Sequence, residues 1–96
     1  MAGEITRKRF SFSGYVQGVG FRWRARRAAE AAGVTGWVRN EADGSVTMEL
    51  QGRIEAIEQV LDTIERGLYI QIAGMDVRTI PPQDGERGFA VKDDRW

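Results

Sequence analysis

The 96-residue chain is long enough for one domain and too short for two of ordinary size, and its 42% apolar content fits a folded globule rather than a disordered segment. It has neither cysteine nor histidine, which excludes disulfide support, thiolate zinc sites, cysteinyl-phosphate and phosphohistidine intermediates, and Ser-His-Asp triads. The formal net charge is zero but uneven, with eight basic and two acidic residues in positions 1–39 against six and twelve in the remainder. A basic first half suits an anionic ligand, whereas a zero total argues against a dedicated nucleic-acid binder. No apolar run approaches the ~18 residues of a membrane span. The opening MAGEITRKRF lacks the apolar stretch of a signal peptide, so a cytoplasmic location is expected.

In chain order, Lys8 to Val16 alternates, with Phe10, Phe12, Gly14 and Val16 on one face and Arg9, Ser11, Ser13 and Tyr15 on the other. That pattern predicts a strand covered on one side. Gln17 to Phe21 interrupts it with glycines. From Arg22 to Ala32 the period turns helical, and Ala25, Ala28, Ala29 and Ala32 form a stripe small enough to seat a helix closely on a sheet. The arginines between them are expected to point to water, and Gly33 to end the helix. Thr35 to Asn40 and Ser45 to Leu50 read as strands two and three, joined across Asp43-Gly44, with Val46, Met48 and Leu50 on one face. Ile54, Ile57, Val60, Leu61 and Ile64 mark a second amphipathic helix that stops near Gly67. Met75 to Ile80 and Gly88 to Lys92 read as strands, with Pro81-Pro82 and Gly85 in the loop between them. Leu68 to Ala73 is apolar without a usable period and receives no assignment. The order β-α-β-β-α-β with an extra terminal strand predicts an α+β, ferredoxin-like double split βαβ sandwich, an antiparallel sheet of four to five strands with two helices on one face. That fold hosts enzymes, metal carriers, regulatory modules and RNA binders, so function must be argued from a site.

The informative stretch is VQGVGFR, Val16 to Arg22, between a strand and a helix start. Gly18 and Gly20 allow sharp backbone turns that aim successive N–H groups into one concavity. With the positive end of the following helix they suit a phosphate-sized anion, and the Arg22 guanidinium can add a bidentate fork. Taken alone, the glycine spacing favours an ordinary tight β–α turn with a surface arginine, because glycine-rich turns are common. The second segment, GWVRN from Gly36 to Asn40, shifts that balance. In a split βαβ the first two strands run the same way with the third between them, so their C-terminal ends emerge at one sheet edge about 10 Å apart. Asn40 then faces the glycine loop, where a carboxamide can position a water beside a phosphate without adding negative charge. Its structural alternative is hairpin capping.

VQGVGFR followed by GWVRNEADGSV resembles the acylphosphatase family, most closely from Phe10 to Gly52. The resemblance implies one acylphosphatase-like domain over residues 1–96 that hydrolyses acyl phosphates with no metal and no cofactor. It implies a phosphate cradle from Gln17, Gly18, Val19, Gly20, Phe21 and Arg22, with Arg22 binding phosphate and Asn40 orienting the water. The partners expected are an acyl phosphate and inorganic phosphate, for a monomer that binds neither nucleic acid nor membrane. The chain departs from the family pattern at Gly67-Leu68-Tyr69-Ile70, where many relatives carry a Gly-Pro turn, and at Ala25, where some carry threonine. Two other readings stay open: a binding module that keeps the anion pocket without turnover, and an RNA binder, which would want aromatics on the open sheet face. Arg24, Arg26 and Arg27 are read as a solvated helix face. Asp84, Glu86, Asp93 and Asp94 are read as solvated charge rather than metal ligands, and Trp23 and Trp37 as packing.

Overall fold

The computed structural model describes residues 4–93. The elements are β1 (Thr6–Tyr15), α1 (Phe21–Ala32), β2 (Thr35–Asn40), β3 (Val46–Gly52), α2 (Ile54–Glu65), β4 (Gln71–Ile80) and β5 (Phe89–Val91). They form one five-stranded sheet in the order β4-β1-β3-β2-β5. β3 pairs antiparallel with both β1 and β2, and β4 pairs antiparallel with β1. The sheet is mixed, because β5 lies parallel to β2. β4 occupies one edge of the sheet, and the last strand does not form a hairpin with it but crosses to the other edge beside β2.

Phe10 and Phe12 of β1, Val38 of β2, Met48 and Leu50 of β3, and Ile57, Val60 and Ile64 of α2 fill one continuous core. Fully burying a side chain of this size stabilises by about 1.5–3 kcal/mol. Ala25 and Ala29 are wholly buried, so the alanine stripe does seat α1 closely. Gly33 caps α1 in the left-handed conformation, and its backbone N–H reaches back into the last turn. Not every arginine of α1 points to water. Arg24 Nε donates to the Thr63 carbonyl oxygen at 2.6 Å and ties the two helices together.

Three readings change with the structure. Gly14 does not continue the buried face of β1. It sits at a bulge where the register shifts between Ser13 and Gly14, and a Cβ there would lie 2.3 Å from the Gln71 carbonyl oxygen. The unassigned stretch divides into a turn, closed by Ile70 N–H donating to the Gly67 carbonyl, and the start of β4 at Gln71. Leu68 and Tyr69 are exposed, Ile70 enters the core and Ile72 packs against it only in part, so no period could register.

The third change concerns Glu86, which is not solvated charge. On the sheet face away from the helices, Arg7 is completely buried. Its guanidinium donates to Glu49 (2.8 Å), Gln51 (3.1 Å) and both carboxylate oxygens of Glu86 (2.7 and 3.1 Å). Glu49 also pairs with Arg9. Burial raises the Glu86 carboxyl pKa, but hydrogen bonds from Arg7 and Thr35 with the charges of Arg7 and Lys92 outweigh it, so the net shift is downward. A depressed carboxyl contributes stability that is present above its unfolded-state pKa of about 4.5 and lost as pH falls through the lower folded value. Glu86→Gln should therefore lower the unfolding free energy at pH 7 by about 1–2 kcal/mol. The gap to the unsubstituted chain should close as the pH drops below about 4.5, and urea melts across pH 3–7 read both effects.

Candidate active site

β1 and β2 flank β3, so the loop leaving β1 and the hairpin leaving β2 emerge at one end of the sheet. Gly18 and Gly20 both adopt left-handed backbone angles, with φ of 72° and 82°. A Cβ at either would meet nothing within 4 Å, so what the loop demands is backbone conformation rather than space. Gly20 is the N-cap of α1, and the first turn of that helix carries no acidic residue. The positive end of the helix dipole is thus not offset by an acidic residue within that turn.

The Gln17 side chain ties the loop to the hairpin. Its Nε2 donates to the carbonyl oxygens of Glu41 (2.8 Å) and Ser45 (2.9 Å). Gln17 is therefore a brace between the two halves of the site, and its carboxamide does not line the pocket. Val19 also turns away from the pocket and packs against the core. The pocket itself, about 400 Å³, is lined by Val16, Gly18, Gly20, Phe21, Arg22 and Asn40, with Trp23, Arg26 and Val91 at its side. Of the residues singled out from sequence, the structure brings Gly18, Gly20, Phe21, Arg22 and Asn40 to one cavity.

Asn40 is 5% exposed, and its Oδ1 is buried without a hydrogen-bond partner. It does not cap the hairpin. The Asp43 carboxylate does that, accepting from the Ser45 backbone N–H (2.9 Å) and hydroxyl (2.6 Å). Those bonds hold the Asp43 carboxyl below the usual carboxylate range. A buried acceptor left open is uncommon and marks a place where a ligand or water completes the structure.

Trp37 is buried on the open sheet face, flanked by Lys92 (4.2 Å to the ring centroid), Arg39 (4.9 Å) and Arg9 (5.5 Å). Its ring is packing, as read from sequence. Trp23 is not: it is 62% exposed at the pocket's side. Sequence reasoning missed Trp23, Arg26 and Val91 as pocket residues. Two signals were available for Trp23: it borders the glycine loop directly after Arg22, and it falls outside the alanine stripe of its helix. Among the described residues no cluster of three or more metal-ligating side chains occurs, and Asp94 lies outside them. No helix among them is long and apolar enough to cross a membrane.

A left-handed glycine loop, a helix N-terminus with no acidic residue in its first turn, an arginine in that turn and a buried, open Asn40 Oδ1 meet at one pocket on a ferredoxin-like sandwich. The comparisons with known proteins agree in kind. The acylphosphatase family model matches residues 8–91. The acylphosphatase of Salinibacter ruber is 42% identical over 90 residues, covering 91% of this chain and 95% of that protein. The crystal structure of acylphosphatase from Bacillus subtilis superposes with a TM-score of 0.83 at 26% identity, covering 91% of this chain and 98% of that one. A segment making up 12% of HypF from T. kodakarensis also matches, with a TM-score of 0.79 at 29% identity over 95% of this chain. The chain belongs to the acylphosphatase family and is an enzyme of that family.

The brace makes a separable claim. Gln17→Ala removes the donor to two carbonyls without altering any residue that lines the pocket. It should lower stability by about 1–2 kcal/mol and cut kcat by about tenfold, because the loop and the hairpin are no longer held to each other. Phosphate affinity should change little, as calorimetric titration with inorganic phosphate would show.

Proposed function

We propose that this protein hydrolyses acyl phosphates to a carboxylate and inorganic phosphate, that the backbone N–H groups from Gln17 to Phe21 together with Arg22 bind the phosphoryl group, and that Asn40 orients the attacking water. The observation that carries this reading is the buried Asn40 Oδ1, which lacks a partner beside a loop suited to an anion. A water is small enough to satisfy that oxygen and would be held by it next to phosphorus.

The chemistry asks little beyond positioning and charge. A carboxylate is already a good leaving group, so strong general-acid catalysis is unnecessary. Water attacks phosphorus, a new P–O bond forms, and the P–O bond to the acyl oxygen breaks with its electron pair leaving on the carboxylate. The chain has no histidine, and the water's proton passes to a phosphoryl oxygen of the substrate. Arg22 and the amides stabilise the charge on the equatorial oxygens throughout. Arg22, Asn40 and backbone amides do not form a divalent-cation donor set, which supports a mechanism without metal. The expected partners are the acyl phosphate and its product phosphate, and a cytoplasmic setting fits the cysteine-free sequence.

The second reading, a binding module, draws on the resemblance to a segment of HypF. It predicts phosphate binding without turnover, and phosphate release from acetyl phosphate decides between the two.

Three outcomes test the mechanism. Activity should survive exhaustive EDTA treatment, and loss of turnover restored by a divalent ion would overturn the metal-free assignment. Arg22→Ala should impair both KM and kcat, with the rate falling on the order of 10²–10³. Asn40→Ala should leave the inhibition constant of inorganic phosphate nearly unchanged while kcat drops steeply. Because it deletes an unsatisfied buried oxygen, its stability should stay within about 1 kcal/mol of the unsubstituted chain. A folded, fully active Asn40→Ala enzyme would show that something else positions the water.

A further inference from the structure

The pocket extends beyond its anion end. Gly18, Gly20, Arg22 and Asn40 supply its polar portion, while Trp23 of α1 and Val91 of β5 supply apolar surface at its side. Both are open to solvent, Trp23 at 62% and Val91 at 41%. A tryptophan is usually well covered, and an exposed one beside a ligand pocket is the kind of surface a ligand covers.

The two residues are placed by independent elements. Val91 pairs with Val38 across the parallel β2–β5 ladder, two residues before Asn40. It thus continues the sheet surface that carries Asn40. Trp23 directly follows Arg22 in the first turn of α1. Both line the same cavity as the glycine loop and Arg22, so a phosphoryl group held there has Trp23 and Val91 as apolar neighbours for its acyl substituent. The neighbouring cations are already engaged. Arg27 lies over the indole, 5.0 Å from the ring centroid, and Arg26 pairs with Glu30 at 3.3 Å. What the acyl group meets is an indole and a valine side chain rather than uncommitted positive charge.

We infer that Trp23 and Val91 form an acyl-group subsite that selects aromatic acyl phosphates over small aliphatic ones. This rests on the phosphoryl group occupying the glycine loop as proposed above. The subsite acts on the part of the substrate remote from the reacting bond, so it stabilises ground and transition states alike and shows itself in KM more than in kcat.

The experiment has a kinetic arm and a binding arm. Benzoyl phosphate and acetyl phosphate are compared as substrates, and benzylphosphonate and methylphosphonate as non-hydrolysable ligands by calorimetry, for the unsubstituted chain, Trp23→Ala and Trp23→Phe. Benzoyl phosphate should show the lower KM. Trp23→Ala should raise that KM about tenfold while changing acetyl phosphate kinetics less than about twofold, and Trp23→Phe should restore most of the difference. Benzylphosphonate should bind more tightly than methylphosphonate, and only in proteins with an aromatic residue at position 23. An aromatic preference that persists in Trp23→Ala, or none in the unsubstituted chain, overturns the subsite. Aromatic phosphonate binding that depends on Trp23, without hydrolysis of either acyl phosphate, supports the subsite and overturns the hydrolase reading instead.

Discussion

Two hydrogen bonds from the Gln17 carboxamide hold together the segments on which the site depends. One segment leaves β1 as the glycine loop and the other closes the β2–β3 hairpin, with β3 between their parent strands. Main-chain pairing alone sets the strands side by side but does not fix how the two connecting loops lean toward each other. By donating to the Glu41 and Ser45 carbonyls, Gln17 sets that lean, and the same bonds satisfy acceptors in the tight hairpin turn. The cavity wall from Gly18 to Arg22 and the floor at Asn40 thus share one rigid support.

The opposite face of the sheet carries a matching arrangement in charge. Arg7 has lost its water entirely, a costly state unless its donors are filled. Glu49, Gln51 and Glu86 fill them, and Glu86 brings the loop between β4 and β5 onto the sheet. That loop delivers β5 to its parallel place beside β2, where Val91 reaches the pocket. A buried ion-pair network on one face therefore positions an apolar residue that serves the other.

Much of this was legible in the sequence, and the limits have physical causes. Both helices were readable because alanines and aliphatic residues recur at helical spacing, and β2 and β3 because a turn signal separates two alternating runs. The convergence of Gly18, Gly20, Arg22 and Asn40 followed from topology alone. Glu86 was misread because a carboxylate near Asp84 in a turn-like segment looks solvated, and its partner lies seventy-nine positions away. Nothing local to β5 sets its direction, since three residues do not distinguish the edge of β2 from the edge of β4. Trp23 was taken for packing because tryptophan is usually buried, and only the position of its ring against the pocket shows otherwise.

Asn40 shows where stability and function part. The rest of the hairpin is fully provided for: Asp43 closes its turn, Gln17 binds its carbonyls, and Val38 and Val46 are completely buried beneath it. Amid that satisfaction, one carboxamide oxygen is buried without a donor, at a cost of about 1–3 kcal/mol. A residue chosen for folding alone would be apolar here, as its neighbours two positions back and across the turn are. The polar group is explained only if its partner arrives from outside the chain. Asn40 lines the same cavity as Gly18, Gly20 and Arg22, so whatever fills that cavity is also what meets the open oxygen.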